Sequence, residues 1–137
     1  MRLYFAYGSN MDRAHMARMC PGAEPLGLVR REGHRFFIAA KGHGSIAPAP
    51  GATVHGVLWR MHERELKALD GYEDVAGGLY RRALMPVHHG AELKRAYVYV
   101  TSSKQKGKPS PAYRAMILAA ARDWDLPAAY LRELERM

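Results

Sequence analysis

The sequence predicts a single small α+β domain, in which a mixed, curved or barrel-like β-sheet is flanked by helices. Its 137 residues suit one compact domain spanning residues 1–137, and no linker or internal repeat divides them. Segments rich in β-forming residues occupy the middle of the chain. Segments with the apolar spacing of helices lie mostly near its two ends. We therefore expect about six strands and about two to four helices, a combination typical of the α+β class.

The first element is a short apolar run, residues 3–6, which predicts a buried strand. Residues 11–20 then have the apolar spacing of a helix, and Ser9 or Asn10 is expected to cap it. The motif at the junction reads Tyr7-Gly8-Ser9-Asn10-Met11.

This junction is a candidate anion site. A strand that turns through Gly8 directly into a helix leaves several backbone N–H groups unpaired. Together with the positive end of the helix dipole, the N–H groups of residues 8–11 predict a site for a carboxylate or a phosphate. A turn with a purely structural role would have the same spacing, so the residues alone leave both interpretations open.

Most of the strands are expected in the middle of the chain. Residues 26–30 and 34–40 predict two short strands, and residues 54–61 predict a buried one. Glycines and prolines make residues 41–52 irregular, with room for a brief strand at residues 43–47.

The remaining elements are helices and one hairpin. Residues 62–70 predict a helix of about two turns. Residues 79–88 and 92–101 alternate around a His-Gly tip and predict a β-hairpin. Residues 112–124 have amphipathic spacing, and a last short helix is expected over residues 126–135.

Composition restricts the classes of function. The formal charge of +8 is compatible with an anionic small substrate, but the cations are scattered, and only Lys104, Lys106 and Lys108 cluster. No aromatic residues alternate with these lysines, so nucleic-acid binding is not expected.

The chain has no apolar run of about 18 residues and no signal segment. One cysteine, Cys20, cannot form an internal disulfide. We therefore expect a cytoplasmic protein that neither spans a membrane nor binds nucleic acid.

An acidic turn at residues 70–74 is the second candidate for chemistry. If Tyr72 and Tyr80 covered the carboxyl group of Glu73 in part, the loss of solvation would raise its pKa and make it a base near neutral pH. The alternative is that Glu73 and Asp74 are solvated turn residues. The residues alone favour the solvated turn, because carboxylates with a shifted pKa are a minority of surface acids.

Two other chemistries are not expected. The seven histidines show no metal-ligand spacing, and no cysteine pair supports them, so no metal site is predicted. Ser9 follows a strand, but its surroundings do not match the Gly-x-Ser-x-Gly elbow of serine hydrolases. Its expected role is to hold a ligand.

Six segments of the chain resemble the γ-glutamylcyclotransferase (AIG2-like) family, and together they span nearly its whole length. They are residues 3–10 (LYFAYGSN), 43–47 (HGSIA), 55–61 (HGVLWRM), 69–73 (LDGYE), and the pair 109–113 (PSPAY) and 126–130 (LPAAY). The resemblance implies a small barrel-like fold with a cavity. It also implies an activity that releases an amine from a γ-glutamyl compound and forms 5-oxoproline without a cofactor.

The same resemblance implies roles for particular residues. Glu73 would be the catalytic acid/base. The substrate's glutamyl end would be held by Tyr7 and by the backbone of the residues that follow it, Gly8, Ser9, Asn10 and Met11. Two further tyrosines, Tyr80 and Tyr113, would line the pocket. The expected partner is a small γ-glutamyl molecule, bound by a monomer or a homodimer. Two alternatives stay open, a cyclotransferase for γ-glutamylamines and a non-catalytic small-molecule-binding domain of the same fold.

Overall fold

The computed structural model describes residues 1–137 as a closed five-stranded β-barrel with four α-helices around it. The strands are β1 (Arg2–Ala6), β2 (Glu24–Ile38), β3 (Gly44–Met61), β4 (Arg81–His89) and β5 (Glu92–Val100). The helices are α1 (Arg13–Met19), α2 (Glu63–Tyr72), α3 (Pro111–Asp123) and α4 (Ala128–Leu134), and a 3-10 turn covers Ser9–Met11. This architecture confirms the predicted fold class. None of the helices is both long and apolar enough to cross a membrane.

The barrel closes around its first strand. The order of the strands is β1-β3-β2-β4-β5, and β1 pairs in parallel with β5 where Tyr4 lies opposite Tyr97. The other neighbouring strands are antiparallel. Tyr4 and Phe5 point to opposite faces of β1 and both are buried. The apolar run at the start of the chain is therefore a strand covered on both faces, as predicted.

The prediction of short central strands was wrong. Residues 26–30 and 34–40 belong mostly to one long strand, β2, and the segment expected to be irregular belongs to β3. Pairing between the two strands passes from Glu32↔Thr53 to His34↔Pro48, so the register shifts while the ladder continues. Gly33 and Gly51 have positive φ at this irregularity. Glycine and proline here mark a bulge that bends two long strands, and the strand total is five.

The other elements agree with the predictions except at the first helix. The hairpin of β4 and β5 pairs from Arg81↔Val100 to His89↔Glu92. Helix α1 begins at Arg13 instead of directly after the glycine, because a 3-10 turn intervenes. Its cap is Asp12, whose carboxylate accepts a hydrogen bond from His15 N at 2.8 Å. The predicted caps, Ser9 and Asn10, do not serve that purpose.

Gly56 of β3 packs directly against the end of β1. A Cβ atom at this position would overlap the carbonyl oxygen of Ala6 and the ring of Phe5. The overlap is with backbone in the centre of the barrel, so neither side can move away without disturbing the ladder.

We predict that Gly56→Ala lowers the free energy of unfolding by about 1–3 kcal/mol, the usual cost of overpacking. Urea denaturation followed by circular dichroism would measure the change. Gly71→Ala is the matched control: this glycine lies in α2 with open space around its Cβ position. Alanine there should be neutral or stabilising by up to about 1 kcal/mol. Equal stability of Gly56→Ala and wild type would contradict the packing described.

Candidate active site

A cavity of about 170 Å³ brings together all the predicted site residues except Met11. The predicted residues that line it are Tyr7, Gly8, Ser9, Asn10, Glu73, Tyr80 and Tyr113. They come from the loop after β1, the turn after α2, the start of β4 and the first turn of α3. Met11 is fully buried in the apolar core, and its carbonyl accepts a hydrogen bond from Trp124 Nε1 at 2.7 Å. Its side chain has no access to a ligand.

Gly44, the first residue of β3, anchors the tyrosines. The Tyr80 hydroxyl donates to Gly44 O at 2.6 Å, and the amide of Gly44 donates to the Tyr113 hydroxyl oxygen at 2.9 Å. The Tyr7 hydroxyl donates to Tyr99 O at 2.6 Å and lies 3.3 Å from Gly44 O. Three aromatic walls thus meet at one residue, Gly44. Because Tyr113 accepts a bond here, its own O–H proton is available to an acceptor in the cavity.

The loop after β1 presents unpaired backbone donors to the cavity. The N–H groups of Met11 and Asp12 donate to Gly8 O and Ser9 O, each at 3.0 Å. The N–H groups of Gly8, Ser9 and Asn10 donate to no acceptor within the protein. The expected anion site therefore consists of three backbone donors in a 3-10 turn, without the helix N-terminus that the sequence predicted.

Glu73 is the only carboxyl group that lines the cavity. It follows α2, and its amide donates to Leu69 O at 2.8 Å, which fixes the backbone beneath the side chain. The side chain is half-buried, and this loss of solvation raises the pKa of Glu73 to about 7. A hydrogen bond from Asn10 Nδ2 to Glu73 Oε1, at 3.4 Å, opposes the shift. The neighbouring Asp74 is exposed, and its carboxylate accepts from Gly77 N at 3.2 Å.

Asn10 is oriented by two side chains that the sequence did not single out. Its Oδ1 lies 3.0 Å from His15 Nε2, and its Nδ2 donates to the Tyr4 hydroxyl oxygen at 2.8 Å. Since an amide oxygen only accepts, His15 must carry its proton on Nε2 to make this bond. His15 thereby holds the NH₂ group of Asn10 toward Glu73. His15 also packs against Tyr72, with ring centroids 5.1 Å apart.

Five further cavity residues were not expected from the sequence: Tyr4, His43, Gly44, Leu79 and Tyr99. His43 packs against Tyr113 at a centroid distance of 5.0 Å. Neither lysine nor arginine lines the cavity. No group of three or more His, Cys, Asp or Glu side chains is placed to hold a metal ion. The adjacent His88 and His89 lie at the hairpin, where His89 Nε2 is 3.0 Å from Leu26 O.

Comparison with known proteins shows which family the chain resembles in sequence and fold. Residues 53–134 match the model of the AIG2-like family. The chain is 31% identical to human γ-glutamylcyclotransferase, over 97% of this chain and 77% of that protein. It is 32% identical to the bovine γ-glutamylcyclotransferase, over 96% and 76% of the two chains. A solved structure of a γ-glutamyl cyclotransferase superposes with a TM-score of 0.91 at 26% identity, covering 98% of this chain and 86% of that one.

The raised pKa of Glu73 predicts a pH-dependent cost in stability. The unfolded chain ionises this group near pH 4.5 and the folded chain near pH 7, so stability falls as the pH rises between these values. We predict that Glu73→Gln is more stable than wild type by roughly 2–3 kcal/mol at pH 8, with no such difference below about pH 4.5. Urea denaturation at the two pH values would test this. A wild type that is the more stable protein at pH 8 would contradict the burial.

The contact between His15 and Asn10 predicts a shift in the pKa of Glu73. In His15→Leu the amide of Asn10 loses its orienting donor, so the bond that lowers the pKa of Glu73 weakens and the pKa rises above about 7. An NMR titration of the ¹³C-labelled Glu73 carboxyl group would measure it. His15→Gln is the control, because its amide nitrogen can donate from a similar position. Identical titration curves for His15→Leu and wild type would show that Asn10 needs no such support.

Proposed function

The chain belongs to the γ-glutamylcyclotransferase (AIG2-like) family, and on this premise we propose that it cyclises γ-glutamyl amino acids to 5-oxoproline and releases the amino acid. One observation carries the assignment to this site. A single carboxyl group, Glu73, is half-buried in a small cavity, and its pKa lies near neutrality. A group with that pKa can both accept and return a proton at physiological pH. A purely binding cavity would have no need of it.

Glu73 acts first as a base and then as an acid. Its carboxylate takes a proton from the α-ammonium group of the glutamyl end. The free amine then attacks the γ-carbonyl carbon of the same molecule, and a new C–N bond closes the five-membered ring. As the tetrahedral intermediate collapses, protonated Glu73 gives its proton to the leaving nitrogen while the original C–N bond breaks. The ring nitrogen then gives up its second proton to the carboxylate of Glu73, which passes it to the released amine. The products are 5-oxoproline and the amine as its ammonium ion, and Glu73 returns to its ionised state.

The size and shape of the cavity favour ring closure. The reaction is intramolecular, so much of the rate comes from holding the glutamyl chain in a bent conformation with the amine near the γ-carbonyl carbon. Tyr7, Tyr80 and Tyr113 are fixed through Gly44 and Tyr99, and they form rigid walls for that conformation. A volume of about 170 Å³ leaves little room for an extended chain.

The backbone N–H groups of Gly8, Ser9 and Asn10 can bind the negatively charged oxygens of the substrate. Since no lysine or arginine lines the cavity, an anionic substrate oxygen must be held by hydrogen-bond donors. The three unpaired N–H groups suit the α-carboxylate of the glutamyl end or the oxyanion of the intermediate. The proton of Tyr113 is a further donor at the same wall. No lysine or arginine lies beside Glu73 in the cavity, so its pKa stays raised.

The setting of the enzyme is part of the proposal. The reaction transfers a proton and rearranges one amide bond, so it needs neither an electron acceptor nor a cofactor. The one cysteine, Cys20, is a buried free thiol, which is compatible with the reducing cytoplasm. We place the enzyme there, acting on a small-molecule substrate as a monomer or a homodimer.

The role of Glu73 predicts a specific loss of turnover. Glu73→Gln keeps the size of the side chain and removes the base, so formation of 5-oxoproline from a γ-glutamyl amino acid should fall by at least about 100-fold. In the wild type, kcat/KM should rise with pH to a plateau above an apparent pKa of about 7, because only ionised Glu73 accepts the proton.

Asp74→Asn is the control for this experiment. Asp74 is equally acidic and adjacent in sequence, but its side chain accepts from Gly77 N in its own turn, and asparagine can make the same bond. Its turnover should stay near that of wild type. Wild-type turnover in Glu73→Gln, or equal losses in the two variants, would rule out Glu73 as the proton carrier.

A further inference from the structure

A second cleft, of about 420 Å³, opens beside the catalytic cavity. The two share His43, Leu79 and Tyr80 as a common wall. The catalytic cavity is smaller than the roughly 300–1,000 Å³ of pockets that enclose a whole small-molecule ligand. It can therefore hold only the glutamyl end of a substrate. The leaving portion must lie outside it, and the adjoining cleft is the larger space available.

Seven of the 13 residues that line this cleft have polar or charged side chains. The loop after β5 contributes Thr101, Ser102, Ser103 and Gln105, and the turn between β2 and β3 contributes Lys41. The start of the loop is fixed, because Thr101 N donates to the buried Ser45 Oγ at 3.2 Å. The hydroxyl and amide groups of this loop and the ammonium group of Lys41 suit a polar leaving group better than an alkyl chain.

The positive charge around the cleft is not neutralised. Lys41 is exposed at the tip of its turn. The loop after β5 packs beside this turn, because Lys106 pairs with Ala39 and Gly107 N donates to Ile38 O, at the end of β2, at 2.9 Å. The same loop contains Lys104, Lys106 and Lys108, and every ion pair of the protein involves an arginine instead of one of these lysines. Asp74, the only acid on the cleft, bonds to Gly77 N within its own turn.

We propose that this cleft binds the α-carboxylate of the leaving amino acid, and that Lys41 is the residue that favours γ-glutamyl amino acids over γ-glutamylamines. The inference rests on the proposed function, since it assigns the second half of the same substrate. A leaving amino acid has its carboxylate two bonds from the scissile nitrogen, whereas a simple amine has none. An ammonium group without an acidic partner is the natural complement to that carboxylate.

Two substrates that differ only in this carboxylate test the proposal: γ-glutamyl-alanine and γ-glutamyl-ethylamine. In Lys41→Met, which keeps the length of the side chain, KM for γ-glutamyl-alanine should rise roughly tenfold with little change in kcat, the size expected for one charge-assisted hydrogen bond. Kinetics on γ-glutamyl-ethylamine should stay unchanged. Lys41→Glu should weaken the binding of γ-glutamyl-alanine further, because the new carboxylate repels the carboxylate of the substrate.

Lys94→Met is the matched control, since Lys94 lies near the far end of β5 from the cleft and contacts His89. It should behave as wild type on both substrates. If wild type cyclises both compounds and Lys41→Met changes neither KM, or changes both equally, the role of Lys41 is overturned while the cyclotransferase activity stands. If wild type forms no 5-oxoproline from either compound, the proposed function itself fails, and this inference fails with it.

Discussion

The structure depends on holding one carboxyl group, that of Glu73, partly out of water with no cation beside it. Such a group is costly to bury, and the protein compensates only in part, through the single long hydrogen bond from Asn10. The result is a pKa of about 7 in place of 4.5. That difference corresponds to about 3 kcal/mol of stability given up above neutral pH. The same shift suits the group to the proton transfers that we propose for it.

Keeping Glu73 in this state requires elements from the whole chain. Closure of the barrel between β1 and β5 brings Tyr4 against Tyr99, whose rings meet edge to face at 5.6 Å. Tyr4 in turn accepts from the amide of Asn10, which reaches Glu73. On the opposite wall, Gly44 holds Tyr80 and Tyr113. Because each contact joins segments far apart in sequence, the cavity exists only when the barrel is closed.

The sequence predicts much of this arrangement where local rules apply. The apolar run of β1, the hairpin and the amphipathic α3 follow from periodicity, and these were placed nearly correctly. The long strands were missed because Pro48 and Gly51 normally interrupt strands, and only the paired neighbour shows that they form a bulge instead. The cap of α1 was misplaced because Ser9, Asn10 and Asp12 are all good caps, and the 3-10 turn that decides among them depends on how the loop packs.

Some residues of the site could be identified from the sequence, and others only from the folded structure. Glu73, Tyr7, Tyr80 and Tyr113 were identified through the resemblance to a family, and the cavity contains all four. Met11 was included because it ends the motif, yet its side chain points into the core. Tyr4 and His15 gave no signal. The strand is buried on both faces, so its alternation does not distinguish a cavity residue from a core residue, and the contact of His15 with Asn10 depends on the turn between them.

The cavity contains a carboxyl group without a lysine or arginine, whereas the adjoining cleft contains Lys41. This division follows from the need to keep the pKa of Glu73 raised. A lysine about 4 Å from that carboxylate, at an effective dielectric constant of about 20, would stabilise its ionised form by about 4 kcal/mol. That energy would lower the pKa by about 3 units, which would return Glu73 to the range of an ordinary surface acid and leave it too weak a base. A cation that recognises an anionic substrate must therefore lie outside the catalytic cavity. Four of the six lysines lie in that outer region, Lys41 at the adjoining cleft and Lys104, Lys106 and Lys108 in the loop packed beside it. The cavity itself has uncharged backbone and hydroxyl donors.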